Sequence, residues 1–392
     1  MSNQSADVII IGGGPIGCLA ALELASHNIS SIILDQTPQE MIANPLLEGR
    51  TIALSYASVA LLEKLNLFHT LKQKAAPIEN IVVSNGPKGQ RLHYGQKESG
   101  GEFLGHNVDL TALKNVLLEA VRASSKTQLL APFKVTHFIC THHDVTVFDA
   151  NGTELKGTAC LAADGKFSPI RHKLALPTRE WSYDQIAFVF NVHHTKPHHN
   201  FAYEAFLPKG PFASLPTVDP NVSSIIWTVP TKEALPLKEM NDASFCTILN
   251  DTFNILGTLT PTTSRWTYPL SGLLVSKPYK ERILLLGDAA HAMHPVAGQG
   301  LNVGIGDVIA LGDLMQRYRK LGLDMGGVTL FREFSKQRRF DVLAMTFTTD
   351  HLVRLFSNHS ITLNFMRDQG LKIVDRSPLL KRFFTQKAMG KA

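Results

Sequence analysis

Near the start of the chain, three glycines and a carboxylate have the types and spacing that hold a nucleotide diphosphate. Gly12-Gly-Gly14-Pro15-Ile16-Gly17 fits the pattern G-x-G-x-x-G. In such a turn the first glycine makes the tight bend, the second lets the backbone approach a pyrophosphate, and the third lets a helix pack closely on a strand. The diphosphate then rests on a helix N-terminus, where free N–H groups and the macrodipole favour negative charge. Asp35 follows about 20 residues beyond the glycines, where a carboxylate accepts hydrogen bonds from ribose hydroxyls and disfavours a 2′-phosphate. These residues imply dinucleotide binding and leave NAD and FAD as alternatives.

Two further segments separate the alternatives. They are Cys160-Leu-Ala-Ala-Asp164-Gly165-Lys-Phe-Ser-Pro-Ile-Arg171 and Leu284-Leu-Leu-Gly287-Asp288-Ala-Ala-His291-Ala-Met-His294-Pro295-Val-Ala-Gly298-Gln299-Gly300-Leu301-Asn302. In each, an apolar strand ends at a carboxylate beside a glycine, which can deliver an acceptor to a polyol chain at the carboxyl edge of a sheet. Either one alone is also an ordinary Asp-Gly or Gly-Asp turn. Both together, with the opening fingerprint, point to FAD.

Other constellations carry less. His193, His194, His198 and His199 are open to reading as a metal cluster, but a turn at Lys196-Pro197 between two exposed strand ends explains them as well. No carboxylate or cysteine completes that set, so no metal is expected. Cys18, Cys140, Cys160 and Cys246 lie far apart without a C-x-x-C pair, which suggests neither a disulfide framework nor a thiolate zinc site and fits a reducing cytoplasm. There is no Ser-His-Asp spacing or nucleophile elbow to support hydrolysis.

The elements needed to position these residues are legible as a βαβ unit: an apolar strand over 7–12, a helix over Pro15–Ser26 and a second strand over 31–35. Strands so uniformly apolar suit a parallel sheet covered on both faces. Residues 78–105 read as short strands broken by Gly and Pro, and 109–123 as a helix. The stretch 181–270 alternates strand-like runs with Pro-rich turns. Another buried strand, 282–286, precedes the glycine-rich segment and a helix reaching about Lys320. Phe340, Leu343, Ala344 and Phe347 repeat at helical spacing, so the tail is helical.

The fold class expected is therefore α/β: an FAD-binding Rossmann-like domain of the glutathione-reductase type, an inserted and mostly antiparallel sheet that binds substrate, and a helical C-terminal tail. The expected boundaries give the FAD-binding domain 1–77, 106–178 and 273–325, the substrate domain 78–105 and 179–272, and the helices 326–392. With 392 residues, 44% hydrophobic and 18% charged, the chain can bury cores for both lobes. The polar opening residues leave no room for a signal peptide, and no apolar run approaches the roughly 20 residues that span a bilayer. A formal charge of +6 gathers partly in Arg332, Lys336, Arg338, Arg339, Lys381, Arg382, Lys387 and Lys391. Nucleic-acid binding is not expected, since no binding motif accompanies that charge.

With these motifs in place, the chain resembles the class A flavoprotein monooxygenases of the para-hydroxybenzoate hydroxylase fold, and more narrowly the ubiquinone-biosynthesis hydroxylases. Gly49-Arg50 through Ser58, Phe201-Ala-Tyr-Glu-Ala-Phe through Pro211, His294-Pro295 through Gly304, Arg339-Phe-Asp-Val-Leu-Ala-Met345 and Leu380 through Gly390 carry the resemblance, which spans nearly the whole chain. It implies that Gly12, Gly14, Pro15, Ile16, Gly17 and Asp35 hold the ADP half of FAD and that Arg50 lies near the pyrophosphate and ribityl chain. It also implies that Asp164 belongs to a motif shared by FAD and NAD(P)H, and that Gly287-Asp288 meets the ribityl hydroxyls. Pro295, Gly298, Gln299, Gly300, Leu301 and Asn302 would wrap the isoalloxazine ring. Backbone N–H groups near Leu301 and Asn302 would face its pyrimidine edge, each well-placed donor being worth about 3 kcal/mol. The turn 106–109, and within it Asn107, stands where the family places a flavin contact. Gly306-Asp307 sits where many relatives have a basic residue before the Asp, which leaves a structural role for Asp307 equally open.

The activity so implied is hydroxylation of the aromatic ring of a polyprenylated phenol, a quinone precursor, through a flavin hydroperoxide that must be shielded from water. Dioxygen is the co-substrate and NAD(P)H the transient reductant, because only one nucleotide fingerprint is visible. His294 and Pro295 are the candidates for direct contact with the reaction, while His291 and His294 can also simply orient the loop. Strands near 187–190 and 201–206 would supply an apolar chamber wall. Other aromatic or prenyl substrates remain open, as does a flavin-bound assembly subunit. The expected location is cytoplasmic, with the basic tail either meeting the inner membrane face or other ubiquinone-biosynthesis proteins, or forming a solvated terminal helix.

Overall fold

The computed structural model describes residues 4–44, 50–86, 89–356 and 361–390; Gly49 and Lys391 lie outside them. Five strands form a parallel sheet in the order Ile283–Leu285, Glu154–Ala162, Gln4–Ile11, Ser31–Leu34 and Thr127–Leu130. Alternation sends Val8, Ile10, Ile33, Leu161 and Leu284 into one core and Ile9, Ile11, Ile32, Cys160 and Leu285 into another, so both faces are buried. The first core is covered by the helices Pro15–Ser26, Leu110–Ala123 and Gly300–Lys320. On the second face the antiparallel strands His137–Cys140 and Val145–Phe148 take that role.

A second sheet runs His291–Ala292, Trp266–Val275, Thr178–His194, Val222–Pro230, Gly210–Pro216, Phe201–Leu207, Asn80–Ser84 and Arg91–Gly95. It is antiparallel except where Phe201–Leu207 meets Asn80–Ser84. Strands from the 78–105 segment thus complete the sheet begun by the later insertion. Between two of its strands the chain forms the helices Thr231–Glu239 and Asp242–Thr252, where the sequence reading had only strands and turns. Asn241 caps the second of these, and its Phe245 and Leu249 bury against Phe188, Phe190 and Trp227.

A small third sheet joins Thr51–Ser55, Gly105–Asp109 and Ala75–Ile78. Segment 106–109 is therefore the central strand of a sheet and not a turn; Asp109 ends it by capping the helix Leu110–Ala123 through Ala112 N–H at 2.8 Å. The tail folds as the helices Val328–Phe356, Ile361–Arg376 and Pro378–Ala388. Helical spacing correctly placed Phe340 and Phe347 on a helix, yet both side chains are exposed.

Candidate active site

The parallel strands on either side of Gln4–Ile11 lead away in opposite directions, so a crevice opens at the carboxyl ends of Gln4–Ile11 and Glu154–Ala162. Gly12 bends there at φ +112°, and a Cβ on it would lie 2.3 Å from the carbonyl oxygen of Ala163. Gly17 packs the helix onto this turn so closely that a Cβ would stand 1.9 Å from the Gly12 oxygen. Gly14, in contrast, faces open space with nothing within 4 Å. Its helix carries no side-chain N-cap, so the first N–H groups are presented to that opening. A diphosphate is the group this cradle fits. Asp35 braces the turn, with Oδ2 accepting from Gly13 N–H at 2.6 Å and Oδ1 from Thr37 N–H at 2.7 Å.

Two carboxyls converge on the same edge. Asp164 Oδ2 accepts from Ile170 N–H at 3.3 Å, while Oδ1 is buried without a partner. Burial raises its pKa despite the hydrogen bonds that favour the anion. Asp288 stands on the cleft wall, reachable by water but flanked by protein; this crowding raises its carboxyl above the usual range against the pull of His291, Lys166 and Arg50. Lys166, which donates to the Ser271 carbonyl at 3.0 Å, was missed as a site residue although it lies within a quoted motif. Arg50 lies 4.7 Å from the centre of the Tyr268 ring, so a cation from one domain is stacked on the sheet of the other. An orphaned carboxyl oxygen, a second accessible carboxyl and two cations beside an open glycine turn fit the polyol and diphosphate of FAD.

Downstream, Pro295 precedes the short turn Val296–Gly298, Gly298 takes φ +62°, and the helix Gly300–Lys320 begins with its N-cap side chain making no capping bond. Asn302 fixes this helix to the strand Thr51–Ser55, accepting from Ser55 N–H at 2.9 Å and Ser58 Oγ at 2.7 Å and donating to Ala53 O at 2.9 Å. Its side chain is thereby committed to scaffolding, leaving Leu301 and Asn302 to offer backbone N–H groups. Asn107 is buried and donates to the Pro216 carbonyl at 2.9 Å, with its own oxygen unpartnered.

Both loop histidines are engaged. His291 Nε2 lies 2.6 Å from Asp307 Oδ2, and the pair holds the imidazole pKa up and the carboxyl down against burial. Asp307 also accepts from Gly287 N–H at 3.1 Å, which makes it a brace for the turn that carries Asp288. His294 is fully buried, with Nδ1 accepting from Val296 N–H at 3.2 Å and Nε2 3.3 Å from Gln185 Oε1; burial pushes its pKa down to about 4. The four-histidine run differs from the exposed strand ends expected. His194 and His198 are buried, His194 between the Lys196 carbonyl and Ser223 Oγ, and His198 against the carbonyls of Thr217 and Asp219.

Register decides which residues of the antiparallel sheet face this cleft. Phe188 and Phe190 point away into the core with Phe245 and Leu249, so the wall is formed by Ala187 and Val189. On the strand Phe201–Leu207 the cleft-facing set is Ala202, Glu204 and Phe206, with Phe206 packed in a cluster with Val296. The wall is therefore not wholly apolar. Glu204 was passed over because the run reads as aromatic and aliphatic; strand alternation was the signal that could have found it.

A family model described as an FAD binding domain matches residues 5–320. The ubiquinone hydroxylase UbiL of Rhodospirillum rubrum is 35% identical over 395 residues, covering 99% of this chain and 90% of the relative. The 3-demethoxyubiquinol 3-hydroxylase of Escherichia coli is 28% identical over 394 residues, covering all of both chains. Among solved structures, p-nitrophenol 4-monooxygenase PnpA from Pseudomonas putida superposes with a TM-score of 0.79 at 18% identity over 99% of each chain, a likeness of fold.

Proposed function

The chain belongs to the ubiquinone-biosynthesis hydroxylases among the class A FAD-dependent aromatic monooxygenases, and on that footing we propose which of its residues carry the reaction. It is an FAD-dependent monooxygenase whose substrates are the ring of a ubiquinone precursor and dioxygen. NAD(P)H is the reductant typical of the family. The open Gly14 cradle beside the converging Asp164 and Asp288 carboxyls is the observation that carries the assignment of the site.

Gly12, Gly14, Pro15, Ile16 and Gly17 would seat the diphosphate, with Asp35 at the adenosine ribose and Arg50 and Lys166 balancing the phosphate charge. Asp288 would accept from the ribityl hydroxyls, and Asp164 stands beside it at the same edge. Gly298, Gln299, Gly300, Leu301 and Asn302 would hold the ring by their backbone, with Asn107 behind the sheet that faces it. When bound, the flavin supplies the oxygen-activating chemistry, and the chain's part is to place the phenol, exclude water and manage protons. We assign His294 to positioning, since both of its ring nitrogens are committed and the residue it holds, Val296, follows Pro295.

A cavity of ≈490 Å³ between the helices Gly300–Lys320, Val328–Phe356 and Pro378–Ala388 is lined by Ile309, Phe340, Met345, Phe383 and Phe384. It lies within the usual range for ligand sites of roughly 300–1,000 Å³, and its lining, mostly apolar with Asp313, Arg338, Asp341 and Lys387 among it, suits a polyprenyl tail. No described helix is long and apolar enough to cross a membrane. The exposed Phe383 and Phe384 beside Arg382 and Lys387 support peripheral contact with the membrane that holds such a substrate.

The test is to purify the protein, identify its bound flavin, and supply NADH, oxygen and a prenylated phenol precursor. A product heavier by one oxygen, with that oxygen drawn from ¹⁸O₂, is expected. Folded protein that takes up no flavin would overturn the reading.

A further inference from the structure

Across the cleft-facing side of the second sheet, one transverse row of paired residues runs Leu92, Val83, Glu204, Ala213, Ile226 and Val189. Five are aliphatic and one is a carboxylic acid. The row on one side includes Phe206, Thr228, Ala187 and Tyr268, and the row on the other includes Ala202, Leu215, Ser224 and Asn191. Phe206 packs with Val296 of the glycine-rich loop, and Tyr268 carries Arg50, so Glu204 occupies the middle of the wall opposite the proposed ring site.

Nothing structural accounts for an acid there. Among the described residues Glu204 has no hydrogen-bond or ion-pair partner; its side chain is half-buried, open enough to meet a ligand in the cleft, and desolvation by its apolar surroundings lifts its carboxyl to about 8. An unpaired carboxyl in an apolar wall costs stability and is retained where it meets a ligand. Building on the hydroxylase reading above, we propose that Glu204 is the catalytic base that takes the phenolic proton of the substrate.

In that step the phenol O–H bond breaks, an O–H bond forms on the Glu204 carboxylate, and the bonding pair stays on the phenolate oxygen. The ring becomes electron-rich enough for attack by electrophilic oxygen, and the neutral Glu204 then returns its proton to a product oxygen or to water. A carboxyl titrating near 8 is matched to a phenol far better than one near 4, because proton transfer is favoured as the two pKa values approach.

Other titratable groups around this wall do not mimic such a limb. Tyr94, two strands away on Arg91–Gly95, is pushed up to about 12 and His294 on the loop down to about 4. His291 is paired with Asp307, and Asp350 stands on the long helix beyond His294. Val83 and Ala213, directly beside Glu204, carry no charge.

The experiment compares the flavin-loaded wild-type enzyme with E204Q on a short-chain prenylated phenol and on its ring-fluorinated analogue, already ionised at the assay pH. Wild-type kcat should rise with pH through about 8. E204Q should retain flavin and lose about 10²-fold or more in kcat on the parent phenol, the scale of general base catalysis, while recovering most of the wild-type rate on the ionised analogue. Equal rates for E204Q and wild type would overturn the proposal, and so would an equal loss on both phenols. A wild-type enzyme that hydroxylates neither phenol would instead sink the hydroxylase reading beneath it.

Discussion

Arg338 Nε stands 2.9 Å from Asp307 Oδ1, and its guanidinium has room because residue 306 is glycine: a Cβ there would lie 2.8 Å from Arg338 Nη2. Arg338 also donates to the Val303 carbonyl at 3.1 Å, while Asp307 holds Gly287 and His291. The long C-terminal helix is thus tied to the turn that presents Asp288. Without Arg338 the buried Asp307 carboxylate keeps His291 as its ion-pair partner but loses a charged hydrogen bond, so R338A should lower unfolding free energy by about 2 kcal/mol. Urea titration of R338A beside R338K measures this, and R338A should also release flavin more readily. An unchanged midpoint would show that the tail is not coupled to the turn.

Gly14 and Gly17 should separate binding from folding. A side chain at Gly14 meets nothing in the protein and its backbone sits at φ −72°, so G14V should fold with a near wild-type melting temperature. It should nonetheless lose most of its flavin, because the added carbons fill the diphosphate cradle. G17A, whose Cβ would be forced to 1.9 Å from the Gly12 oxygen, should lower the melting temperature outright. Flavin absorbance per folded protein, read beside circular dichroism melts, distinguishes the two. G14V that keeps its flavin would contradict the cradle.

Legibility in the sequence followed distance along the chain. Gly12, Gly14, Gly17 and Asp35 belong to one βαβ unit, and Asp164 and Asp288 each close their own strand, so short motifs reveal them. The chamber wall is different. Glu204 acquires its neighbours from residues 83, 213 and 226, and its significance lies in the face it occupies, which only pairing fixes. The reading of 106–109 as a turn fails because the cross-strand partners Ala53 and Ala76, distant along the chain, impose a strand on Asn107. Arg338 likewise reaches Asp307 from another helix, and no local pattern announces a guanidinium entering a space vacated by Gly306.

Acid should destabilise the fold through His294. Its folded pKa of about 4 lies below the usual value of about 6.5 in an unfolded chain. The unfolded state therefore binds the proton first, and the stability present above 6.5 is lost as pH falls towards 4. His106, also pushed down to about 4, acts in the same direction, and Asp307, with its carboxyl held low, adds to the loss at the acid end. Glu204 and His291, whose pKa values are raised, act in the opposite direction, so the readout is the change in guanidinium midpoint of H294N relative to wild type at pH 7.5, 6, 5 and 4.5. H294N, which keeps an acceptor for Val296 N–H but has no ring to protonate, should show a shallower decline. A slope equal to wild type would remove His294 from the account.

The exposed aromatic side chains of the tail should report on the membrane. Phe340, Phe383 and Phe384 are exposed and share one cavity lining across two helices, and Arg382 and Lys387 lie on the same terminal helix. Lys381 on that helix is ion-paired with Asp375 at 2.9 Å, so Arg382 and Lys387 remain the principal candidates for lipid contact there. Apolar insertion and attraction to anionic headgroups reinforce each other, each basic residue near the surface contributing about 1 kcal/mol. Sedimentation with vesicles containing phosphatidylglycerol should therefore pull down the wild-type protein, and pure phosphatidylcholine should pull down much less. The double variant F383S/F384S should bind weakly to both while its circular dichroism spectrum and flavin absorbance stay intact, because neither residue belongs to the Gly12–Gly17 turn that seats the diphosphate. Wild-type protein that ignores anionic vesicles would restrict these side chains to lining the cavity.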